Sequence, residues 1–296
     1  MNISLVILNF NGLGDTLDCL DSLKGIETGN HTLEIIVIDN NSSDGSQEAL
    51  SKIKKITFFQ NQKNLGYSGG NNIGIKYALK RKSDFILILN NDTVIHKDLI
   101  VYLVERSKSA DIISPKIYFS AGFEFHKERY LKSELGKVIW YAGGKIDWEN
   151  IIGNHIGVDE VDKGQFNKSK DVDFATGACM FIKRKVFEKI GLFDLRYFLY
   201  LEDMDFCVRA KKAGFKIMYE PKAIIWHKNA QSVQGSGSSL QDYFITRNRL
   251  LFAFKFAKLR TKLAVLRQNL AHLNNPTKRK ALLDLISFKL GAGTYF

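Results

Sequence analysis

Glu202, Asp203 and Asp205 stand within four positions of the stretch YLEDMDFCVRA, in a chain whose formal net charge is +12. Carboxylates crowded in this way repel one another, so one can be held protonated while another accepts a proton in general-base chemistry. The same residues would also complement the dipole at the start of a helix, and Phe206, Ala210 and Ala213 follow at helical spacing. Both readings stand on these residues alone. Other candidates close apolar runs. Phe10 and Asn11, in VILNFNG, put an aromatic ring where it can cover a base. Asp39, in IIVIDNNSSDGS, can accept a hydrogen bond from a pyrimidine N3–H or a ribose hydroxyl, or it can shape the turn with Asp44. Asn91 and Asp92, in FILILNNDT, end a third run. Asp92 suits Mg²⁺ or Mn²⁺, ions that hold a substrate's phosphates through one or two carboxylates. An ordinary strand-ending turn would use the same residues. His227, in AIIWHK, matters to such an ion only if it faces Asp92. Last, NLGYSGGNNIG brings Asn64, Gly66 and Asn71 into a glycine-rich stretch. It reads as a tight loop before a helix, where backbone N–H groups could approach a phosphate. It lacks the spacing of the dinucleotide fingerprint and of the phosphate loop.

The elements that must position these residues alternate. SLVILNF, EIIVIDN, ITFFQN and FILILNN read as buried strands, with helices at about residues 14–24, 46–54 and 71–82 between them. That order predicts a doubly wound, mostly parallel α/β sheet, in which ligands bind outside the carboxyl ends of the strands. The clusters Asn9-Phe10-Asn11, Asp39-Asn40-Asn41 and Asn90-Asn91-Asp92 then fall at three such ends and can line one crevice. Further on, VIWYAGGKIDW reads as a strand with a turn and residues 159–170 as an exposed loop. VDFATGACMFIKR resumes strand character, and KIMYEP and AIIWH read as two short strands. A Gly/Ser-rich segment, residues 234–239, divides an α/β domain (1–240) from a helical tail (241–296).

In that tail Phe252, Phe256, Leu259, Leu263, Leu266, Leu270 and Leu273 form one continuous apolar stripe, and Asn275-Pro276 announces a further helix. From Tyr243 onward there are 11 lysines and arginines against one acid, Asp284. Such a segment fits an anionic membrane surface, or else packs on protein; self-association stays open. The three cysteines show no paired spacing and fit a reducing compartment. The first residues carry no basic leader, and no run is long enough to span a bilayer. A cytoplasmic protein, peripheral on the inner face of the membrane, is the expectation. Nucleic acid is not expected as a partner, since no motif for it occurs and the acidic cluster opposes phosphate. An oxidoreductase would need the missing glycine fingerprint.

Taken in order, these motifs resemble the inverting GT-A glycosyltransferases, the family that holds bacterial rhamnosyltransferases and galactofuranosyltransferases. The resemblance spans about residues 3–249. It implies a nucleoside-diphosphate sugar as donor, with rhamnose the first guess and UDP-galactofuranose or a UDP-hexose behind it. A glycan or lipid-linked acceptor and a divalent Mg or Mn ion are implied as well. By resemblance Phe10 and Asp39 hold the pyrimidine, Asp92 is the surviving acid of the DxD metal motif, and His227 completes the metal shell. Thr176, Gly177 and Ala178, in DFATGACMF, line the acceptor side. Asp203 is the base and Glu202 its acceptor-binding neighbour, with Asp205 beside them to raise its pKa or orient the acceptor. Arg247 is expected to add positive charge near the diphosphate. Asn90 replaces the first acid of DxD, which weakens the metal site implied there.

Overall fold

The computed structural model describes residues 1–228 and 238–295. Residues 234–237 of the expected Gly/Ser segment lie outside them. The chain runs β1 (Asn2–Asn9), α1 (Leu13–Ser22), β2 (Thr32–Asp39), α2 (Ser46–Ser51), β3 (Thr57–Gln60), α3 (Gly66–Lys80) and β4 (Phe85–Asn90). It continues β5 (Thr93–Ile95), α4 (Leu99–Arg106), β6 (Ile112–Phe119), β7 (Ile139–Tyr141), β8 (Gly144–Asp147), β9 (Ile152–His155), β10 (Lys170–Asp171) and β11 (Cys179–Lys183). Then come α5 (Arg184–Ile190), α6 (Glu202–Lys212), β12 (Ile217–His227), α7 (Ser239–Phe256), α8 (Leu259–Leu270) and α9 (Pro276–Ile286).

The main sheet has the order β10-β12-β6-β11-β4-β1-β2-β3. Strands β3, β2, β1 and β4 are mutually parallel, and β11 is antiparallel to both its neighbours, β4 and β6. The β1–β4 block is apolar on both faces, with Leu5, Val6, Ile7, Ile36, Ile38 and Leu87 all fully buried, which is what a sheet covered on both sides requires. Register places Asn9 opposite Asp39 and Leu8 opposite Asn90, so the polar strand ends do fall together.

Three expectations are corrected. The glycines after Asn64 do not form a loop ahead of a helix at residue 71; α3 already begins at Gly66. Gly70 and Gly74, four apart on one face, lie over Leu8 and Val6, two apart on one face of β1. A Cβ on Gly74 would stand 2.4 Å from Val6 Cγ1, so these glycines let helix and strand approach. KIMYEP and AIIWH form one strand, β12, with an irregularity between Glu220 and Ile224 where Pro221 has no N–H for the ladder. The tail stripe is not continuous either. Ala257 and Lys258 are extended, separating α7 from α8. Leu250, Leu251 and Phe252 of α7 are buried in the same core as the sheet, whereas Leu259 and Leu263 of α8 face solvent.

Candidate active site

Asp92 lies between β4 and β5. Because β5 pairs antiparallel with β12, Thr93 is opposite His227, and the imidazole is delivered beside Asp92. Its Nε2 stands 3.0 Å from Asp92 Oδ1, and both residues are buried. The contact is not aligned as a hydrogen bond, and neither ring nitrogen of His227 has an aligned partner. The two buried ring nitrogens of His227 are costly in this state unless another group takes them up. Two ligands bonded at right angles to one ion, each at about 2.1 Å, stand about 3.0 Å apart, so the pair fits a shared Mg²⁺ or Mn²⁺. The main chain fixes the spacing: Lys228 N–H donates to the Asp92 carbonyl and Ser120 N–H to that of His227, each at 2.9 Å. The Trp140 ring meets the imidazole edge-on, with centroids 4.5 Å apart. Among the described residues no group of three His, Cys, Asp or Glu side chains is placed to hold a metal. A substrate's oxygens would have to complete the shell.

Glu202 and Asp203 open α6, after two consecutive residues with left-handed backbone, Tyr200 (φ 70°) and Leu201 (φ 68°). Asp203 Oδ2 accepts from Gly177 N–H at 2.9 Å and Oδ1 from Met204 N–H at 2.7 Å. The Gly177 carbonyl accepts from Tyr67 Oη at 2.5 Å, and a Cβ on Gly177 would stand 2.8 Å from that hydroxyl. Thr176 braces the same turn, its carbonyl accepting from Cys179 N–H at 3.2 Å. The Ala178 carbonyl accepts from Asn90 N–H at 3.0 Å. Residues 176–178 therefore link the acid pair to the strand end that carries Asp92. Burial pushes both acids above the usual carboxylate range, Glu202 the further because the Asp203 charge adds to it. Two N–H donors offset burial at Asp203, whereas Glu202 Oε2 is buried without a hydrogen-bond partner. Glu202 accordingly keeps its proton to the higher pH, and Asp203 carries the charge of the pair.

The third acid plays another part. Asp205 is fully buried and turned onto Arg209 Nε at 2.7 Å and onto Lys255 of α7, which also holds Asp194 at 2.8 Å. It ties α6 to the tail, and burial rather than Asp205 lifts Asp203.

At the β1 and β2 ends Asp39 is fully buried. Its Oδ1 accepts from Asn9 Nδ2 (2.7 Å) and Ser42 Oγ (2.6 Å), and its Oδ2 from Ser42 N–H (3.0 Å). Of the four lone-pair positions of a carboxylate, these leave one on Oδ2. Asn11, at φ 50°, accepts from Ser43 N–H at 2.7 Å, and Phe10 next to it is half-buried. Asn64 accepts from Gly66 N–H at 2.8 Å, Asn71 donates to the Tyr67 carbonyl at 3.0 Å, and Asn91 donates to Thr16 Oγ1 at 3.0 Å. Asn64 and Asn91 thus hold the segments at the strand ends, while the Asn71 bond stays within α3. Asn71 Oδ1 is buried without a partner. Gly66 (φ +70°) lies against Phe198, whose carbonyl would stand 2.3 Å from a Cβ there.

Arg247 corrects its expectation. It is wholly buried, with Nη2 donating to the Arg196 carbonyl (3.2 Å) and to Asn248 Oδ1 (3.0 Å), and its guanidinium faces the rings of Tyr243 and Phe244. Enclosed in this way, the guanidinium packs the tail against the segment that carries Arg196, and its Nη1 is buried without a hydrogen-bond partner. Its neighbour Asn248, which the motifs did not single out, donates to the carbonyls of Leu199 (2.8 Å) and Tyr200 (2.9 Å). It clamps the left-handed turn that aims Glu202 and Asp203. In the sequence it stands between Arg247 and Arg249 in a mixed helix, and nothing there sets it apart.

Residues 4–191 match the family described as Glycosyl transferase family 2. A low-salt glycan biosynthesis hexosyltransferase of Haloferax volcanii is 29% identical over 253 residues, covering 84% of this chain and 75% of the relative. An N-acetylglucosaminyl-diphospho-decaprenol L-rhamnosyltransferase of Mycobacterium tuberculosis is 24% identical over 212 residues, 68% of each chain. Among solved structures, a mannosyltransferase of Pyrobaculum calidifontis in complex with GDP-Man and Mn²⁺ superposes with a TM-score of 0.57 at 14% identity, covering 96% of this chain and 75% of that one. GalNAc-T7 with UDP, GalNAc and Mn²⁺ gives 0.60 at 16% identity over 84% of this chain, which spans 51% of that structure's length. These likenesses establish the GT-A fold.

Proposed function

The chain belongs to glycosyl transferase family 2, and from that premise we propose that it moves a sugar, with inversion, from a nucleoside diphosphate to a lipid-linked glycan in surface polysaccharide synthesis. Rhamnose is the first donor sugar to test, with UDP-galactofuranose and UDP-hexoses next. The rhamnosyltransferase relative, named for a decaprenol-linked acceptor, supports both the sugar and the lipid. Neighbouring structures that carry Mn²⁺ support the ion.

The observation that carries the reading is the short path from Asp203, through Gly177 and Ala178, to the strand end bearing Asp92. Asp203 takes the proton from the acceptor hydroxyl as that oxygen bonds to the anomeric carbon. Glu202, protonated, orients the same acceptor, and the 176–178 turn borders its pocket. On the donor side Phe10 covers the base, the remaining lone pair of Asp39 accepts from it, and Asn11, Asn64, Gly66, Asn71 and Asn91 shape the crevice. Asp92 and His227 would hold a divalent ion, which supplies positive charge to the departing diphosphate. A non-enzymatic nucleic-acid binder is not favoured, because acids line the cleft.

Asp203→Asn should lower transfer by about two orders of magnitude or more while leaving sugar-nucleotide binding intact. A screen of sugar nucleotides for hydrolysis and transfer with Mn²⁺ identifies the donor. Near-normal turnover by the asparagine variant removes Asp203 from the mechanism.

A further inference from the structure

We propose that the outer faces of α8 and α9 dock on an anionic lipid bilayer and that the β8–β9 turn lies beside that docking face, so that a lipid-borne acceptor reaches Asp203 from the bilayer side. Its purpose rests on the transfer reading; the surface itself does not. On α8, Leu259 is 70% exposed and Leu263 58%, with Leu270 following on the same stripe, while Val265 and Asn269 on the opposite side are buried. Past them, Leu283 and Ile286 of α9 and Phe288 just beyond it are also exposed, Phe288 at 84%. Isolated surface leucines need no explanation, but a run of them on two successive helices does.

Charge selects the occupant. Residues 257–296 contain eight lysines and arginines and a single acid, Asp284. That acid is buried, its carboxylate taken by Tyr243 Oη and by Thr294 Oγ1 at 2.7 Å. Among the side chains of α8, α9 and the segments next to them every exposed charge is therefore positive, while the neighbouring β8–β9 turn adds Glu149. A second copy would bring the same sign against it, and a nucleic acid would meet the cations but leave the leucines wet. An interface of anionic headgroups over acyl chains satisfies both.

The hairpin beside the acid pair also reaches α8, the helix that carries this face. Gly153 of β9 lies under Met204, the residue after Asp203; a Cβ there would stand 2.6 Å from Met204 Sδ. At the turn of the same hairpin Arg249 Nε donates to the Asn150 carbonyl at 2.7 Å, and its Nη2 reaches Gln268 of α8 at 2.7 Å. Trp148 in that turn packs on Phe252 with ring centroids 5.9 Å apart and stays 41% exposed, whereas Trp140 and Trp226 are half-buried. The hairpin thus runs from α6 to α8 and carries an interfacial tryptophan at its tip.

Co-sedimentation of the full chain with phosphatidylglycerol/phosphatidylcholine vesicles and with phosphatidylcholine alone tests this. Binding should be at least about tenfold stronger to the anionic vesicles and weaken with added salt. The double variant Leu259→Ser/Leu263→Ser should lose about tenfold of it with an unchanged Tm and unchanged turnover of soluble substrates. Brominated lipid should quench Trp148, and Trp148→Phe should remove that quenching. The proposal is overturned by failure to bind either vesicle, by binding that the serines leave intact, or by bound protein whose Trp148 is not quenched. A lipid-free, concentration-dependent rise in mass that the serines abolish would assign the face to a second copy instead. Vesicle binding without turnover of any sugar nucleotide would overturn the transfer reading alone.

Discussion

At the scale of single residues, chemistry here depends on which acid holds its proton. Glu202 keeps one well past the ordinary 4.5 because it is buried beside Asp203. A carboxyl raised in the folded state contributes stability in full below its unfolded value and loses it as the pH climbs through the folded one. Glu202→Gln stays neutral throughout, so its Tm should gain on the parent as the pH rises from about 5 to about 9. A constant difference across that range would mean that Glu202 ionises as freely as an exposed acid. For His227→Ala the readout is sugar-nucleotide affinity. It should fall by roughly tenfold or more with Mn²⁺ and stay put in chelator, since a lost metal ligand acts only through the ion. Equal affinity in both conditions would remove His227 from the metal shell.

At the scale of elements, the strands and their polar ends were legible because a buried parallel sheet writes long apolar runs and stops them abruptly. The meeting of Asp92 with His227 was legible only through the family resemblance, because it depends on β5 pairing with β12 across more than a hundred residues of chain. Glycines misled at α3: the residue type that frees a loop also lets a helix lie close to a strand, and Val6 decides between the two only in three dimensions. Arg247 misled for a similar reason, since a guanidinium stacked on rings inside the protein is written like one that meets phosphate. Asn248 on α7 yields the element-scale prediction. Asn248→Ala leaves two inward carbonyls without their donor, costing about 1–3 kcal/mol. The turn ahead of α6 should relax with it, so kcat should fall by more than sugar-donor affinity does. Unaltered kcat in a folded variant would show that the turn holds itself.

At the scale of the whole molecule, positive charge is gathered toward the C-terminal end of the sequence, whereas Asp92 and Glu202 are buried in the fold. The family match stops at residue 191, before the acid pair and before every tail helix. Yet Lys255 reaches back to Asp205 and Asp194, and Asn248 to the two carbonyls before Glu202. Chimeras built by joining a relative's catalytic half to this tail, or the reverse, would therefore inherit a broken joint unless the seam preserves those cross-links. Modularity that looks natural from the homology boundary would fail at the bench for want of one amide and one ammonium group.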